Sequence, residues 1–257
     1  MQQDKPKVII YSSFGLFPML EYELDIAQTK LDLGYEVIFV YNKMYDSIYK
    51  DYYEMNHFAN TVKHLEIISK FKNGMKWLNK SKGKISLIDL GDIEKKYKKN
   101  IFNEIRKIDK QNVNDLYKIK KYIFRELNLY DSAFSGLSTL AKVESYHPPI
   151  DLLKKHLKRQ LKVALKAKFF ADYIIKEIKP KIIYIFNGRL PAYAPLVIEC
   201  KNNNIPFNIY EYPIVFDTKY VVTENYIPHD ILSLSDHLYD IYIKNSLQES
   251  FKIKKGE

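Results

Sequence analysis

Two short apolar runs that end in polar residues constrain the fold more than any other part of this 257-residue chain. The first covers Lys181–Phe186 and the second covers Phe207–Glu211, with about twenty residues between them. Runs of this length that are rich in β-branched and aromatic residues predict buried strands. The residues between the runs, from about Pro191 to Asn203, predict a helix. Together they predict a β-α-β unit.

Polar residues follow each of these predicted strands at the point where the strand ends. Asn187, Gly188 and Arg189 follow the first strand, and Glu211 ends the second. Ligands of open α/β sheets bind outside the carboxyl ends of the strands, so we expect these residues to lie together at one edge. Only 4 of the 41 basic residues are arginines, and Arg189 is one of them. Its planar fork suits a sugar or a phosphate, and Gly188 permits close backbone approach.

Structural roles for the same residues remain open. Asn187 is also a suitable helix N-cap, with Arg189 on the surface. Glu211 is able to orient a hydroxyl or act as a base, but it is equally able to form an ion pair with Arg189.

The first 42 residues predict a second unit of the same kind. Lys7–Ser13 predicts a strand, residues 14–18 a turn, residues 19–33 a helix and Glu36–Asn42 a strand, with Gly34 as the helix C-cap. This order predicts a Rossmann-like, open and mainly parallel α/β sheet flanked by helices. The first turn lacks G-x-G-x-x-G, so dinucleotide binding through that motif is unsupported.

The remaining elements are predicted from periodicity and from chain breakers. Helices are predicted over 57–80, over 92–127 with a break near 109–114, over 151–178 and from about His229 onward. Strands are predicted at 83–90 and 220–225. The stretch Asp131–Ser138 is either a functional loop or the start of a helix. The long helix at 151–178 should bury one stripe, formed by Leu153, Leu157, Leu161, Ala164, Ala171, Ile174 and Ile178.

The net charge of +10 is concentrated in one region. Residues 61–130 hold 18 Lys+Arg and 8 Asp+Glu, and the rest of the chain holds 23 of each. The excess predicts either a solvated helical surface or a face for anionic lipid headgroups, a pyrophosphate-linked ligand or nucleic acid. Nucleic acid is the least favoured of these partners, because arginine is scarce and no zinc spacing or RNA-binding signature occurs.

Several classes of protein are disfavoured by the sequence. No apolar run has the length of a membrane span, and charged residues precede the first strand where a signal segment would be apolar. The single cysteine, Cys200, excludes an internal disulfide and fits a reducing cytoplasm, and packing is its expected role. His57 and His64 are seven residues apart, which does not suit a metal pair, so no metal site is predicted.

Four pieces of the chain carry a resemblance to a known family. They are the opening unit that ends in Leu-Gly-Tyr-Glu-Val-Ile-Phe at 33–39, Asn-Gly-Met-Lys-Trp-Leu at 73–78, Phe-Asn-Gly-Arg at 186–189 with Tyr-Glu at 210–211, and Glu-Asn-Tyr-Ile-Pro-His-Asp at 224–230. In this order and spacing they resemble the N-terminal, acceptor-side half of bacterial surface or capsular polysaccharide glycosyltransferases of the GT-B fold.

The resemblance implies a division of labour between two domains. The N-terminal domain faces the acceptor, and a C-terminal domain, which this chain is expected to lack, binds the nucleotide-sugar donor. Residues 1–257 are therefore expected to form one Rossmann-like domain with a lysine-rich helical insertion at about 92–179 and no cofactor of its own. The implied partner is a saccharide or lipid-linked saccharide acceptor. A cytoplasmic location is expected, with peripheral contact between residues 61–130 and the anionic inner face of the membrane.

The same resemblance assigns expected roles to the candidate residues. A side-chain base, one of Glu211, Glu23 and His229, would deprotonate the acceptor hydroxyl. Glu23 lies early in the first helix, where the helix dipole favours carboxylates and a surface role is the ordinary expectation. The alternative function is a non-catalytic module that binds a glycan or a lipid-linked intermediate. The expected substrate-binding residues are Ser12, Ser13, Phe14, Gly15, Asn187, Gly188, Arg189 and Asp230.

Overall fold

A six-stranded, mostly parallel sheet forms the centre of the computed structural model, which describes residues 5–12, 19–41, 73, 76, 85–141, 150–211 and 221–225. The strand order is β3-β2-β1-β6-β7-β8, and only β8 runs antiparallel to its neighbour. A two-stranded antiparallel hairpin, β4-β5, stands apart from it. The strands are β1 Lys7–Tyr11, β2 Glu36–Tyr41, β3 Ile85–Asp89, β4 Ile123–Phe124, β5 Leu127–Asn128, β6 Ile182–Phe186, β7 Phe207–Glu211 and β8 Val221–Glu224.

The chain winds outward from β1 in both directions. Strand β1 pairs with β2 on one side and with β6 on the other, so Ile9 lies opposite both Ile38 and Ile183. The strand order therefore reverses between β1 and β6, which is the position where open α/β sheets leave a crevice for ligands. The expected Rossmann-like, mainly parallel sheet is confirmed.

Helices flank this sheet, and five of them lie between β3 and β6. The described helices are α1 Met19–Asp32, α2 Leu90–Lys96, α3 Lys98–Lys110, α4 Val113–Ile119, α5 Leu129–Ala141, α6 Ile150–Tyr173 and α7 Ala194–Asn202. The predicted break near 109–114 corresponds to the gap between α3 and α4. The stretch Asp131–Ser138, which the sequence left open between a loop and a helix, lies inside α5.

Two buried clusters hold the described part of the chain together. One lies between the sheet and the helices packed on it, and it buries the central strand residues Val8, Ile9 and Ile10 completely. Burial on both faces is expected of a central parallel strand. The second cluster lies among the inserted helices and includes Leu157 and Leu161 of α6. Helix α6 contributes to both clusters and so joins the helical region to the sheet.

The predicted stripe on the long helix is confirmed, but the helix changes type before it ends. All seven stripe residues are buried. The α-helix stops at Tyr173, and Ile174–Ile178 forms a π-helical turn closed by a bond from Lys179 N–H to the Ile174 carbonyl at 3.3 Å. Both helix types place the same isoleucines in the core, so the apolar pattern does not distinguish them.

One predicted helical segment is wrong. Residues 123–128 form the β4-β5 hairpin instead of the end of a lysine-rich helix. Its two turn residues, Arg125 and Glu126, have φ values of 48° and 68°. Tight hairpin turns of this kind usually contain Asn or Gly, because those residues tolerate positive φ best. Arg-Glu gives no such signal, which explains why the sequence does not reveal the turn.

Some expectations lie outside the described residues. The predicted helices over 57–80, apart from positions 73 and 76, and from His229 onward are among them, as is any statement about a further domain. In the part of the chain that the structure describes, no helix combines the length and apolarity needed to cross a membrane.

Candidate functional site

The crevice between β1 and β6 begins at Ser12, the first residue after β1. Its backbone N–H donates to the carbonyl of Val40 at 2.9 Å, which fixes the residue at the end of the ladder. Its hydroxyl donates to Oε2 of Glu23 at 2.6 Å. The first strand and the first helix are thus joined by side chains directly beside the point where the strand order reverses.

Glu23 is fully buried, which corrects the expectation of a surface carboxylate on α1. Its Oε1 accepts a hydrogen bond of 2.6 Å from the phenol of Tyr210, a β7 residue that is itself completely buried. A carboxylate removed from water must be hydrogen-bonded to be tolerated, and the two hydroxyls meet that need. Glu21, two residues earlier on the same helix, is exposed.

Asn187 organises the outer part of the crevice, at the end of β6. Its φ of 58° and that of 76° at Gly188 turn the chain sharply away from the strand. The side-chain oxygen Oδ1 accepts from the backbone N–H of Arg189 at 3.3 Å, and Nδ2 donates to Oε2 of Glu211 at 2.6 Å. One amide therefore shapes the turn and also joins the ends of β6 and β7.

Arg189 lies in this turn, and no ion pair joins it to a carboxylate in the part of the chain that the structure describes. Its backbone N–H bonds to Asn187, but its side-chain Nε is buried with no hydrogen-bond partner among the described residues. Asn187, rather than Arg189, supplies the hydrogen bond described for the carboxylate of Glu211. A buried donor left unmatched costs free energy. The residue as a whole is partly exposed, so a ligand would bind the exposed part of the side chain.

Close packing holds this turn in place. A Cβ atom added to Gly136 of α5 would lie 2.7 Å from Oε1 of Gln160 and 2.7 Å from Cδ of Pro191. Only glycine lets α5 approach α6 and the turn this closely. Tyr193 adds edge contacts to the rings of Tyr11 and Phe186, with centroids 6.0 and 5.7 Å away. The turn after β6 is therefore built on rigid elements on several sides.

Burial divides the cluster into two parts with different chemistry. Ser12 and Glu23 are only 2 % and 0 % exposed, so they are placed to support the strand ends. Glu211 and Arg189 are partly exposed. A partly exposed carboxylate is able to accept a proton or a hydroxyl, and a partly exposed guanidinium is able to bind an anion or a sugar oxygen.

Of the eleven predicted site residues, six are described by the structure and lie together, and five belong to segments that it does not describe. Ser12, Glu23, Asn187, Gly188, Arg189 and Glu211 lie at the carboxyl ends of β1, β6 and β7 or on α1 beside them. Ser13, Phe14, Gly15, His229 and Asp230 lie outside the described residues.

Tyr210 is the member of the cluster that the sequence analysis did not assign. A tyrosine at a buried strand position needs a partner for its hydroxyl, which was the available signal.

Other reactive groups in the described residues do not join this cluster. No group of three or more His, Cys, Asp or Glu side chains suited to a metal occurs in the described ranges. Cys200 is completely buried on α7, as expected for a packing residue. Burial, followed by the nearby charge of Glu199, raises the pKa of its thiol to about 12. A nucleophilic thiolate is therefore not available at neutral pH.

Comparisons with known proteins add the following. No family model and no curated protein sequence matches the chain. Among solved structures, the fold is similar to that of a CDPS (cyclodipeptide synthase) from Fluoribacter dumoffii. The two chains are 10 % identical, the alignment covers 85 % of this chain and 90 % of that one, and the TM-score is 0.46. A likeness at this level supports no statement about activity.

Proposed function

We propose that this chain is the acceptor-binding domain of a glycosyltransferase, with the GT-B architecture, that acts in the synthesis of a bacterial cell-surface polysaccharide. The proposal rests on the sequence resemblance together with the site at the carboxyl ends of β1, β6 and β7. Its main structural support is that Arg189 and Glu211 are both partly exposed and that Asn187 hydrogen-bonds to both, to the backbone of Arg189 and to the carboxylate of Glu211.

In this proposal the outer residues act on the acceptor and the inner residues hold them in place. Arg189 hydrogen-bonds oxygens of the saccharide or of its phosphate through its planar fork. Glu211 accepts the proton of the acceptor hydroxyl as that oxygen attacks the anomeric carbon of the nucleotide-sugar, whose bond to the nucleoside diphosphate breaks and releases it. Asn187 fixes the carboxylate by its 2.6 Å hydrogen bond. Ser12, Glu23 and Tyr210 fix the strand ends from below.

The nucleotide-sugar belongs to a second domain in this proposal. The chain by itself should bind saccharide or lipid-linked saccharide acceptors and should bind UDP- and GDP-sugars only weakly. Isothermal titration calorimetry with a panel of each class would test this division. Micromolar binding of any nucleotide-sugar by the chain would contradict the assignment of this crevice to the acceptor.

Two substitutions distinguish a catalytic role of the site from a purely structural role. Arg189→Lys keeps the charge and loses the bidentate geometry, and Glu211→Gln keeps the shape and loses the base. In the complete enzyme we expect Glu211→Gln to reduce transfer by about a hundredfold, the range of a lost general base. Arg189→Lys should also reduce transfer, through the lost bidentate contact, and both variants should keep the melting temperature of the unmodified chain. Lower melting temperatures with unchanged activity per folded molecule would show that the cluster only supports the fold.

The alternative function, a binding module without catalysis, predicts a different pattern. Arg189→Lys would weaken glycan binding, while Glu211→Gln would leave it unchanged and no transfer would be measurable with any donor. Running the glycan titration and the transfer assay on the same two variants distinguishes the two functions.

A further inference from the structure

A rigid loop with two exposed isoleucines projects from the lysine-rich region. The loop comprises residues 118–123, from the end of α4 to the first residue of β4, and we call it the Ile loop. Ile119 is 65 % exposed and Ile123 is 49 % exposed. Lys118, Lys120 and Lys121 stand between and beside them, and all three are exposed. The loop thus consists of two isoleucines, three lysines and Tyr122, and it contains no acidic residue.

The backbone of the Ile loop is held firmly by its neighbours. Lys120 adopts a left-handed conformation with φ 50°, and its N–H closes α4 by a bond to the Leu116 carbonyl at 2.9 Å. The side chain of Asn128 accepts from the N–H of Tyr122 at 3.0 Å and donates to the Lys120 carbonyl at 3.4 Å.

The residues beside these contacts are anchored in the core of the helical region. Leu116, Leu127 and Leu129 all belong to the second buried cluster. The isoleucines are therefore displayed by a fixed scaffold, and little conformational entropy is lost when they are buried against a partner.

The two exposed isoleucines differ from isolated exposed apolar residues because they lie close together in the sequence. A single exposed side chain such as Leu33, also 65 % exposed, is ordinary on a protein surface. Two within five residues, with three exposed lysines beside and between them, place apolar and cationic side chains together on one short exposed segment. The lysine stems extend the apolar area while their ammonium groups stay in water.

We infer that the Ile loop docks on an anionic lipid surface, with Ile119 and Ile123 inserted below the headgroups and the lysines bound to the headgroup phosphates. Charge complementarity carries this choice of partner. An anionic bilayer offers negative headgroups above hydrocarbon, which matches the two chemistries of the loop. Nucleic acid would instead favour well-exposed aromatic side chains that stack on bases, and Tyr122, the one aromatic residue of the loop, is half-buried. The inference does not depend on glycosyl transfer and stands or fails separately from the proposed function.

Vesicle co-sedimentation tests the inference directly. The chain should bind vesicles of phosphatidylglycerol and phosphatidylcholine more tightly than vesicles of phosphatidylcholine alone, and added salt should weaken the binding. The double variant Ile119→Ser/Ile123→Ser should reduce the affinity about tenfold, from the lost burial of CH₂ groups. Lys118→Gln/Lys121→Gln should reduce it about twentyfold, from two lost headgroup contacts.

Matched controls show whether the effect belongs to this loop. Leu33→Ser removes an equally exposed apolar side chain, and Lys154→Gln/Lys201→Gln removes two exposed lysines from α6 and α7. Both controls should leave vesicle binding within about twofold, because scattered exposed residues contribute little. Circular dichroism should show all of these surface variants folded.

Three outcomes would overturn the inference. Equal binding to anionic and neutral vesicles would remove the electrostatic argument. An equal loss of vesicle affinity in the Leu33→Ser control and in the double isoleucine variant would show that binding does not depend on this loop. Binding to a single-stranded RNA probe that needs the lysines but not the isoleucines, without vesicle binding, would assign the surface to nucleic acid.

Discussion

The phenol of Tyr210 donates a 2.6 Å hydrogen bond to Oε1 of Glu23, although 187 positions separate the two residues in the sequence. Tyr210 lies in β7 and Glu23 in α1, and neither side chain is exposed to solvent. The bond therefore joins the opening of the chain to the last parallel strand of the described sheet. It lies under the strand ends that form the candidate site.

Tyr210→Phe should lower the free energy of unfolding by about 1–3 kcal/mol, the cost of leaving a buried acceptor with one donor fewer. Urea denaturation followed by circular dichroism measures the change. Tyr184→Phe, at another buried tyrosine on the neighbouring strand β6, is the matched control and should cost clearly less. If the two changes cost the same, the hydrogen bond to Glu23 is not the source of the effect.

Two substitutions of Asn187 should separate the effect of its backbone conformation on stability from the role of its side chain in binding. Asn187 has φ 58°, so Asn187→Ala should be less stable than Asn187→Gly by about 1–2 kcal/mol, the cost of a left-handed conformation for a residue with a Cβ. Both variants remove the amide that bonds to Glu211 and should be equally impaired in acceptor binding. Thermal unfolding and glycan titration of the pair give the two readouts. Normal acceptor binding by Asn187→Gly would contradict a role for the amide in the site.

A buried ion network should make Lys168 one of the most sensitive positions outside the site. Its Nζ lies 2.5 Å from Oδ1 of Asp172 and 3.0 Å from Oε1 of Glu199, and Arg125 bonds to the other oxygen of Asp172. The Lys168 side chain is only 4 % exposed. Lys168→Met should cost about 3–5 kcal/mol, because it removes the buried cation that Asp172 and Glu199 share and leaves Asp172 with Arg125 alone.

The control for Lys168 is an ion pair of similar length on the surface. Lys107 lies 2.7 Å from Glu104, but its side chain is 65 % exposed. Lys107→Met should cost less than about 1 kcal/mol, since solvent screens such pairs. Equal losses in the two variants, measured by urea denaturation, would show that burial of the network does not determine its contribution.

Cys200 should be inert in the folded chain and should make stability depend on pH in alkaline solution. Burial raises the pKa of its thiol from 9.0 to about 12, so the folded state keeps the proton where the unfolded state loses it. This contribution to stability is complete below pH 9 and declines as the pH rises towards 12. A disulfide reagent at pH 8 should therefore label the thiol only after unfolding.

Cys200→Ala provides the control for the pH effect, because it removes this titration and leaves the others. The loss of stability between pH 9 and 11 should be smaller in the variant than in the unmodified chain. Rapid labelling of the native thiol at pH 8, or identical pH profiles for the two proteins, would contradict the described burial.

Local patterns were sufficient where an element is determined by its own residues. The strand-helix-strand opening, the break near 109–114 and the buried stripe of α6 were all predictable, because strand and helix periodicity place apolar residues on one face. The hairpin at 123–128 was not, because its turn residues, Arg125 and Glu126, lack the usual signal. The π-helical turn at Ile174–Ile178 was not predictable either, since it buries the same residues as an α-helix would.

The candidate site shows the same division. The common edge of Asn187, Arg189 and Glu211 was predictable from the strand ends alone, because the carboxyl ends of parallel strands lie at the same edge of a sheet. The choice of partner for Glu211 was not predictable, because Asn187 and Arg189 are only two positions apart and both are able to donate. The position of Glu23 in the interior was also beyond the sequence, since Ser12 and Tyr210, which donate to it, lie far apart in the chain.

The sequence by itself determined the class of fold, the direction of the strands and the edge where polar residues gather, because these follow from periodicity and chain order. Tertiary structure decided which polar groups meet. Glu23 is buried and accepts hydrogen bonds from Ser12 and Tyr210. Glu211 accepts one from Asn187, and Nε of Arg189 has no partner among the described residues. Such pairings depend on distances between residues far apart in the chain, and each is set by the packing of whole elements rather than by any local pattern.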